Sequence, residues 1–266
     1  MITLIKLDLK NCIKNEKFKI CFLSLLGICL FSFLAVCTDS FMSNSLQLDF
    51  TNKMGIMLGT KVRSVFHFIL LAIPLIACGI YSDSFIYERD NNICVYYLTR
   101  TNKRKYFTSK IFSIFIIVFF TILLPLSINE LLTFLAIPNI GINHGYGITV
   151  YQLKANISEF FLQSIYNNHP YLYNYLLILI TSFFGALVAV IGFNLSLLFQ
   201  MKKINLLIYM FLGVHLTSFV LPNRFQIYNY IQSSPGKLSD FIIALIGWIV
   251  LCIISGTIGI WKETRI

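Results

Sequence analysis

Few residues in this chain of 266 are able to carry chemistry, and most of them lie in one stretch. Asp83, Glu88, Arg89 and Asp90 come first, then Arg100, then the basic run Lys103-Arg104-Lys105 with Lys110. Elsewhere the polar groups are isolated: histidines at 67, 144, 169 and 215, Asn194 within a long apolar run, and Glu130 just past another, where water is expected to reach it. No H-E-x-x-H, G-x-S-x-G or G-x-x-x-x-G-K-[ST] pattern occurs, so zinc hydrolysis, a nucleophile elbow and P-loop ATP binding are not written into these residues. The seven cysteines form no C-x-x-C pair and fall mostly in apolar runs, where Cys behaves as a small hydrophobe. Neither a disulfide framework nor a metal site is indicated. The remaining chemistry is that of contact: a dense charge run that can dock a partner, and single polar groups that can bond between helices. His215 and Asn194 belong to the second kind, with a place along a translocation path as their other reading.

The elements that would position these groups are membrane helices. The composition is 57% hydrophobic and only 12% charged, with a mean hydropathy of +0.77, 25 Phe and 14 Tyr, which no ordinary soluble domain shows. The expected fold is an all-α polytopic membrane protein. Six apolar runs, at about 18–38, 64–82, 108–128, 173–199, 204–222 and 241–261, each approach the ~20 residues a spanning helix needs, and together they make one domain over 18–266. Residues 1–17 set Ile2, Ile5, Leu9, Cys12 and Ile13 against Lys6, Lys10 and Lys14 at helical spacing, which predicts an amphipathic helix lying in the membrane interface. The apolar core at 18–36 is too long for a signal peptide, and Leu34-Ala35-Val36-Cys37 departs from a lipoprotein cleavage pattern, so it is read as an uncleaved first span.

Charge sets the expected orientation. Fifteen of the 21 lysines and arginines fall in 1–19, 82–110, 200–203 and 262–266, which alternation puts on one side; that side is expected to be cytoplasmic, with both termini, in a bacterial plasma membrane. Lys103-Arg104-Lys105 oppose the dipole of the helix they begin, so they are expected, with Lys110, to hold that end against anionic lipid headgroups. The net charge of +10 is scattered over span ends instead of forming one face, which argues against a nucleic-acid partner. The largest outer piece is 129–172, with Pro138, Gly141, Gly145 and Gly147 as breakers and helical spacing over 151–166. Between Pro222 and Pro235, residues 225–231 are either a re-entrant segment or a solvated loop.

The span centres carry no ionisable group, whereas an ion-coupled carrier usually has one near the midplane. Transport energy would then come from a separate subunit, and the loop at 82–106 is where such a subunit would act. With these residues in view, the chain resembles the type-2 ABC-transporter permeases. The resemblance rests on the amphipathic segment 1–17, on the second span continuing without a break through Phe85-Ile86-Tyr87-Glu88-Arg89-Asp90, on Tyr97-Leu98-Thr99-Arg100-Thr101 with Lys110, and on His169-Pro170-Tyr171-Leu172-Tyr173 opening the fourth span. Those residues are similar to the family pattern E-x-x-x-G-T…L-L-x-x-P-x-x-R…K. The family's Gly-Thr is replaced here by Asn91-Asn92-Ile93, and the proline before the arginine is absent.

The resemblance implies a permease that is not itself an enzyme, paired with a dimeric ATPase that holds the ATP and Mg and with a second permease copy or homologue. It implies a coupling helix over 88–98, with Asp83, Glu88, Arg89, Asp90, Leu98 and Arg100 facing the ATPase. The cargo expected between two such apolar chains is a hydrophobic or modified peptide of bacteriocin type, or another amphiphile. Two alternatives stand: a non-transporting immunity or regulatory protein that binds a toxic peptide, and an ion-coupled carrier.

Overall fold

The computed structural model describes residues 2–42, 55–57, 62–136, 161–199, 201–232 and 236–265. Among these residues there is no strand, and six helices are long and apolar enough to cross a membrane. The chain is an all-α polytopic membrane protein. In order, the helices are α1 (Ile2–Lys14), α2 (Glu16–Met42), α3 (Arg63–Tyr81), α4 (Ser84–Asp90), α5 (Ile93–Arg100), α6 (Lys103–Ala136), α7 (Gln163–Asn168), α8 (Pro170–Leu198), α9 (Lys203–Val220), α10 (Ile227–Ile231) and α11 (Leu238–Arg265).

The six predicted spans are all present, but most run past the apolar stretch that announced them. The third is extended most: α6 has 34 residues, about 50 Å of helix against a ~30 Å hydrocarbon layer. Its extra turns carry the basic run at one end and Asn129, Glu130 and Thr133 at the other, so polar groups at its ends meet protein as well as water. Pro125 stands inside α6 without ending it. The second span, in contrast to the unbroken helix expected, stops at Tyr81, turns at Ser82-Asp83 and restarts as α4. Ser82 stabilises that turn by donating from its buried hydroxyl to the Ala189 carbonyl of α8 at 2.8 Å.

α8 is the axis of the bundle. It is the most enclosed span, and it packs on α3, α6, α9 and α11, with α4, α7 and α10 also against it. Small residues let neighbours come close: a Cβ at Gly185 would lie 2.3 Å from Ile122 Cδ1 of α6, and one at Gly192 would lie 2.8 Å from Cys78 Sγ of α3. The buried hydroxyls of Ser109, Ser113, Thr121, Thr181 and Ser182 donate back to carbonyls of their own helices, so none is left unsatisfied in the apolar interior. α9 and α11 lie at the rim and present broad apolar faces such as Ile204, Leu212 and Phe219, and Ile242, Ile246 and Ile253, as lipid-facing helices do.

The two segments expected on the outer side, 129–172 and the stretch between Pro222 and Pro235, are seen in part. The piece at 129–172 is shortened at both ends by the extended α6 and α8. The helix expected over 151–166 falls mostly outside the described residues; a turn at Phe161-Leu162 and α7 are what is seen. Residues 225–231 are largely helical instead of a plain solvated loop. A 3-10 turn at Asn223–Phe225 leads into α10, whose Ile227, Tyr230 and Ile231 are buried, with Tyr230 packed edge-on against Phe161 and Phe241.

Candidate functional site

α4 and α5 form a short helical hairpin between the second and third spans, on the side of the termini. Its turn is made by Asn91 and Asn92, and Asn92 adopts φ 58°, a left-handed conformation that asparagine tolerates better than most side chains. The hairpin is held from beneath by aromatic packing. Phe85 meets Phe107 of α6 and Phe193 of α8 edge-on at 5.7 and 6.4 Å, and Tyr97 stacks on Tyr106 at 5.7 Å.

Below that packing lies a charge cluster which the sequence did not reveal as a unit. Lys110, predicted to reach lipid headgroups, is instead fully buried: its ammonium pairs with the Glu88 carboxylate, donates to Tyr106 Oη at 3.1 Å, and lies 5.1 Å from the centre of the Tyr106 ring. Tyr106 in turn donates its hydroxyl to Glu88. A buried cation is tolerated only when paired in this way. Asp8 of α1 joins from the other side, buried and accepting from Tyr81 Oη at 3.4 Å. Burial pushes its carboxyl above the usual carboxylate range, against the opposing pull of the Lys110 ammonium. So α1, whose Lys6, Lys10 and Lys14 are exposed as expected, turns an acid and Cys12 towards the bundle. Asp8 is the lone acid of the first 15 residues, amid lysines, and that was the available signal.

The structure separates the predicted coupling residues into two sets. Glu88 and Asp83 point inward: Asp83 binds Lys17 of α2, with Lys203 of α9 at 3.5 Å, and so ties three helix ends together. Arg89 and Asp90 lie at the end of α4, 3.5 Å apart, with Asp90 largely exposed. Leu98 and Arg100 lie in α5, and their side chains fall outside the described residues. Among the described large hydrophobic side chains of the hairpin, Tyr96, not singled out from sequence, is the most exposed at 73%, followed by Tyr87 at 53%. The outer surface of the hairpin therefore carries Tyr87, Asp90, Asn91, Asn92 and Tyr96 on a backbone fixed from below.

Asn194 and His215 are not brought together. Asn194 is buried and donates to Cys252 O and Ser255 Oγ of α11, both at 3.0 Å. His215 Nε2 is 3.2 Å from Leu71 O of α3, its ring against Phe211 and Tyr228. Each is a helix-to-helix contact.

A second polar group lies at the opposite end of α6. Asn129 donates to Cys29 O and Ser32 Oγ of α2 at 2.6 and 3.0 Å and accepts from Ile56 N at 3.3 Å. Glu130 was expected within reach of water. It is instead buried, accepting from Asn174 Nδ2 of α8 at 3.0 Å, with Oε2 packed against Gly55 and without a hydrogen-bond partner among the described residues. Among the described residues, no group of three or more His, Cys, Asp or Glu side chains could hold a metal ion.

No family model, no curated protein and no solved structure matches this chain.

Proposed function

We propose that this chain is the membrane-spanning permease subunit of an ATP-driven exporter, with the α4–α5 hairpin as the docking surface for a separate ATPase. The observation that carries this reading is the division of the hairpin into two faces. The outer face offers exposed tyrosines and polar groups on the side of the termini, and the inner face is bonded through Glu88, Tyr106 and Lys110 to the start of the longest span. A push on the outer face is thus delivered to α6 as a rigid-body displacement, since ion pair and ring stack leave little slack between them. In this reading two copies, or this chain and a homologue, line the path, and their apolar spans suit a hydrophobic or modified peptide better than a sugar or free ion.

The topology this requires is open to direct measurement. In a background without the native cysteines, His169→Cys should react with a membrane-impermeant thiol reagent added to intact cells, and Asn102→Cys should react only after lysis; both positions are exposed in the fold. The reverse pattern would put the hairpin outside the cell and end the proposal.

One observation favours the ion-coupled carrier as a second reading: the buried Glu130, whose Oε2 has no hydrogen-bond partner among the described residues. Membrane-buried carboxylates are frequent proton relays. Cells expressing the chain with its ATPase and challenged with membrane-active peptides separate the two. Protection that vanishes with an ATPase-dead partner and survives Glu130→Gln supports the exporter. Protection that survives the dead ATPase but is lost with Glu130→Gln and with an uncoupler supports the carrier, and protection that needs neither supports an immunity protein.

A further inference from the structure

Between α1, α4, α5 and the start of α9 lies a cavity of about 540 Å³ whose walls include Asn11, Lys14, Asn15, Lys17, Tyr87 and Lys203. Asp83 is the acid that faces these three lysines, since Glu88 on the same wall is neutralised by Lys110. Two positive charges remain in excess. Ser84 is also on the wall, 7% exposed, and its hydroxyl has no hydrogen-bond partner among the described residues. A buried donor left unsatisfied in this way is costly unless something fills the cavity and accepts from it.

The cavity does not end at the charged groups. It shares Lys17, Asp83 and Lys203 with a second, narrower space of about 220 Å³ that runs between α3 and α9 along Cys78, Gly79, Leu206 and Leu207. At Gly79 an added Cβ would meet nothing within 4 Å. A cationic basin at the membrane edge thus opens into an apolar slot inside the bilayer zone.

We infer that this compound cavity binds an anionic phospholipid of the leaflet on the side of the termini. Its phosphate sits among Lys14, Lys17 and Lys203 and accepts from the Ser84 hydroxyl, and one acyl chain enters the slot between α3 and α9. The basin matches a phosphate in charge and donors, and the slot excludes an anion without a tail as the full occupant. The site is independent of what, if anything, the protein transports. It would tie α1, α4 and α9 together at the level where Asp83 already joins α2 and α9.

The test uses the purified full chain, delipidated in mild detergent and then given dioleoylphosphatidylglycerol, dioleoylphosphatidylcholine or inorganic phosphate. Native mass spectrometry reads the lipid retained, and thermal unfolding reads the shift. Phosphatidylglycerol should be retained and should raise Tm, with the effect falling as salt is added; phosphatidylcholine and phosphate should do neither. Lys14→Ala and Lys203→Ala should each weaken retention about fivefold. Ser84→Ala should weaken it while leaving the lipid-free Tm the same or higher, since it removes a donor that is unsatisfied without lipid, whereas loss of a merely structural serine would lower Tm. Gly79→Leu, which fills the slot, should abolish retention. If that variant does not fold, the Ser84→Ala and Lys14→Ala measurements decide alone. Equal retention of the two lipids, or retention indifferent to these substitutions, overturns the inference. A full Tm shift from phosphate alone overturns it too, in favour of a free-anion site.

Discussion

Lys110→Met is expected to destabilise the protein by about 3–5 kcal/mol, the cost of leaving a largely buried carboxylate without its cation. Glu88 is 12% exposed and Asp8 is buried, and both face the ammonium that would be removed. The double variant Lys110→Met/Glu88→Gln should recover much of the loss, because a neutral pair of similar size leaves Tyr106 an acceptor and leaves only Asp8, whose carboxyl burial already biases towards the neutral form, without the cation. Thermal unfolding in detergent, with the fraction of monodisperse protein after extraction, reads both. A single variant as stable as the parent would mean that Glu88 is hydrated, and the rigid link from hairpin to α6 would be lost as an explanation. Glu88→Ala is a poor test of ATPase docking for the same reason: it disturbs the foundation of the hairpin together with its surface.

The better test of docking is on the outer face. Arg89→Glu combined with Tyr96→Ala should leave folding and membrane insertion intact, because Tyr96 is 73% exposed and the Arg89 guanidinium pairs with Asp90 and lies over the Phe85 ring and does not take part in the buried Glu88–Tyr106–Lys110 cluster. Association with the ATPase should fall roughly 30-fold, about 2 kcal/mol, as expected when a central aromatic or arginine anchor is removed from an interface. Co-purification and permease-stimulated ATP turnover would both drop. If neither changes, the partner docks elsewhere or there is none.

The architecture was legible in the residues because bilayer thickness imposes a length on apolar runs, and six such runs can hardly be anything but spans. The break at Ser82-Asp83 was not legible, since it depends on a hydroxyl reaching the Ala189 carbonyl of another helix. The charge run at 82–110 spans the α4–α5 hairpin and the start of α6. Its internal wiring was hidden: an exposed lysine and a buried one look alike until Glu88, Tyr106 and Lys110 are seen to converge from α4 and α6. Glu130 was misplaced in the same way, because the apolar run ends before it while the helix does not. Asn194 and His215 behaved as isolated polar groups in spans most often do, bonding to the next helix.

The central position of α8 bears on how the molecule is made. Spans one to three are synthesised first, yet the carboxylate of Glu130 has Asn174 of the fourth span as its donor, and the turn after α3 has a carbonyl of that same span as its acceptor. Until α8 emerges and inserts, the early half of the chain sits in the bilayer with those groups unmatched. A polypeptide halted before Pro170 therefore lacks the partners that α8 gives to Glu130 and Ser82. Completion of the fourth span matches those two groups, while Asn194 on that span waits for α11 to supply Cys252 O and Ser255 Oγ.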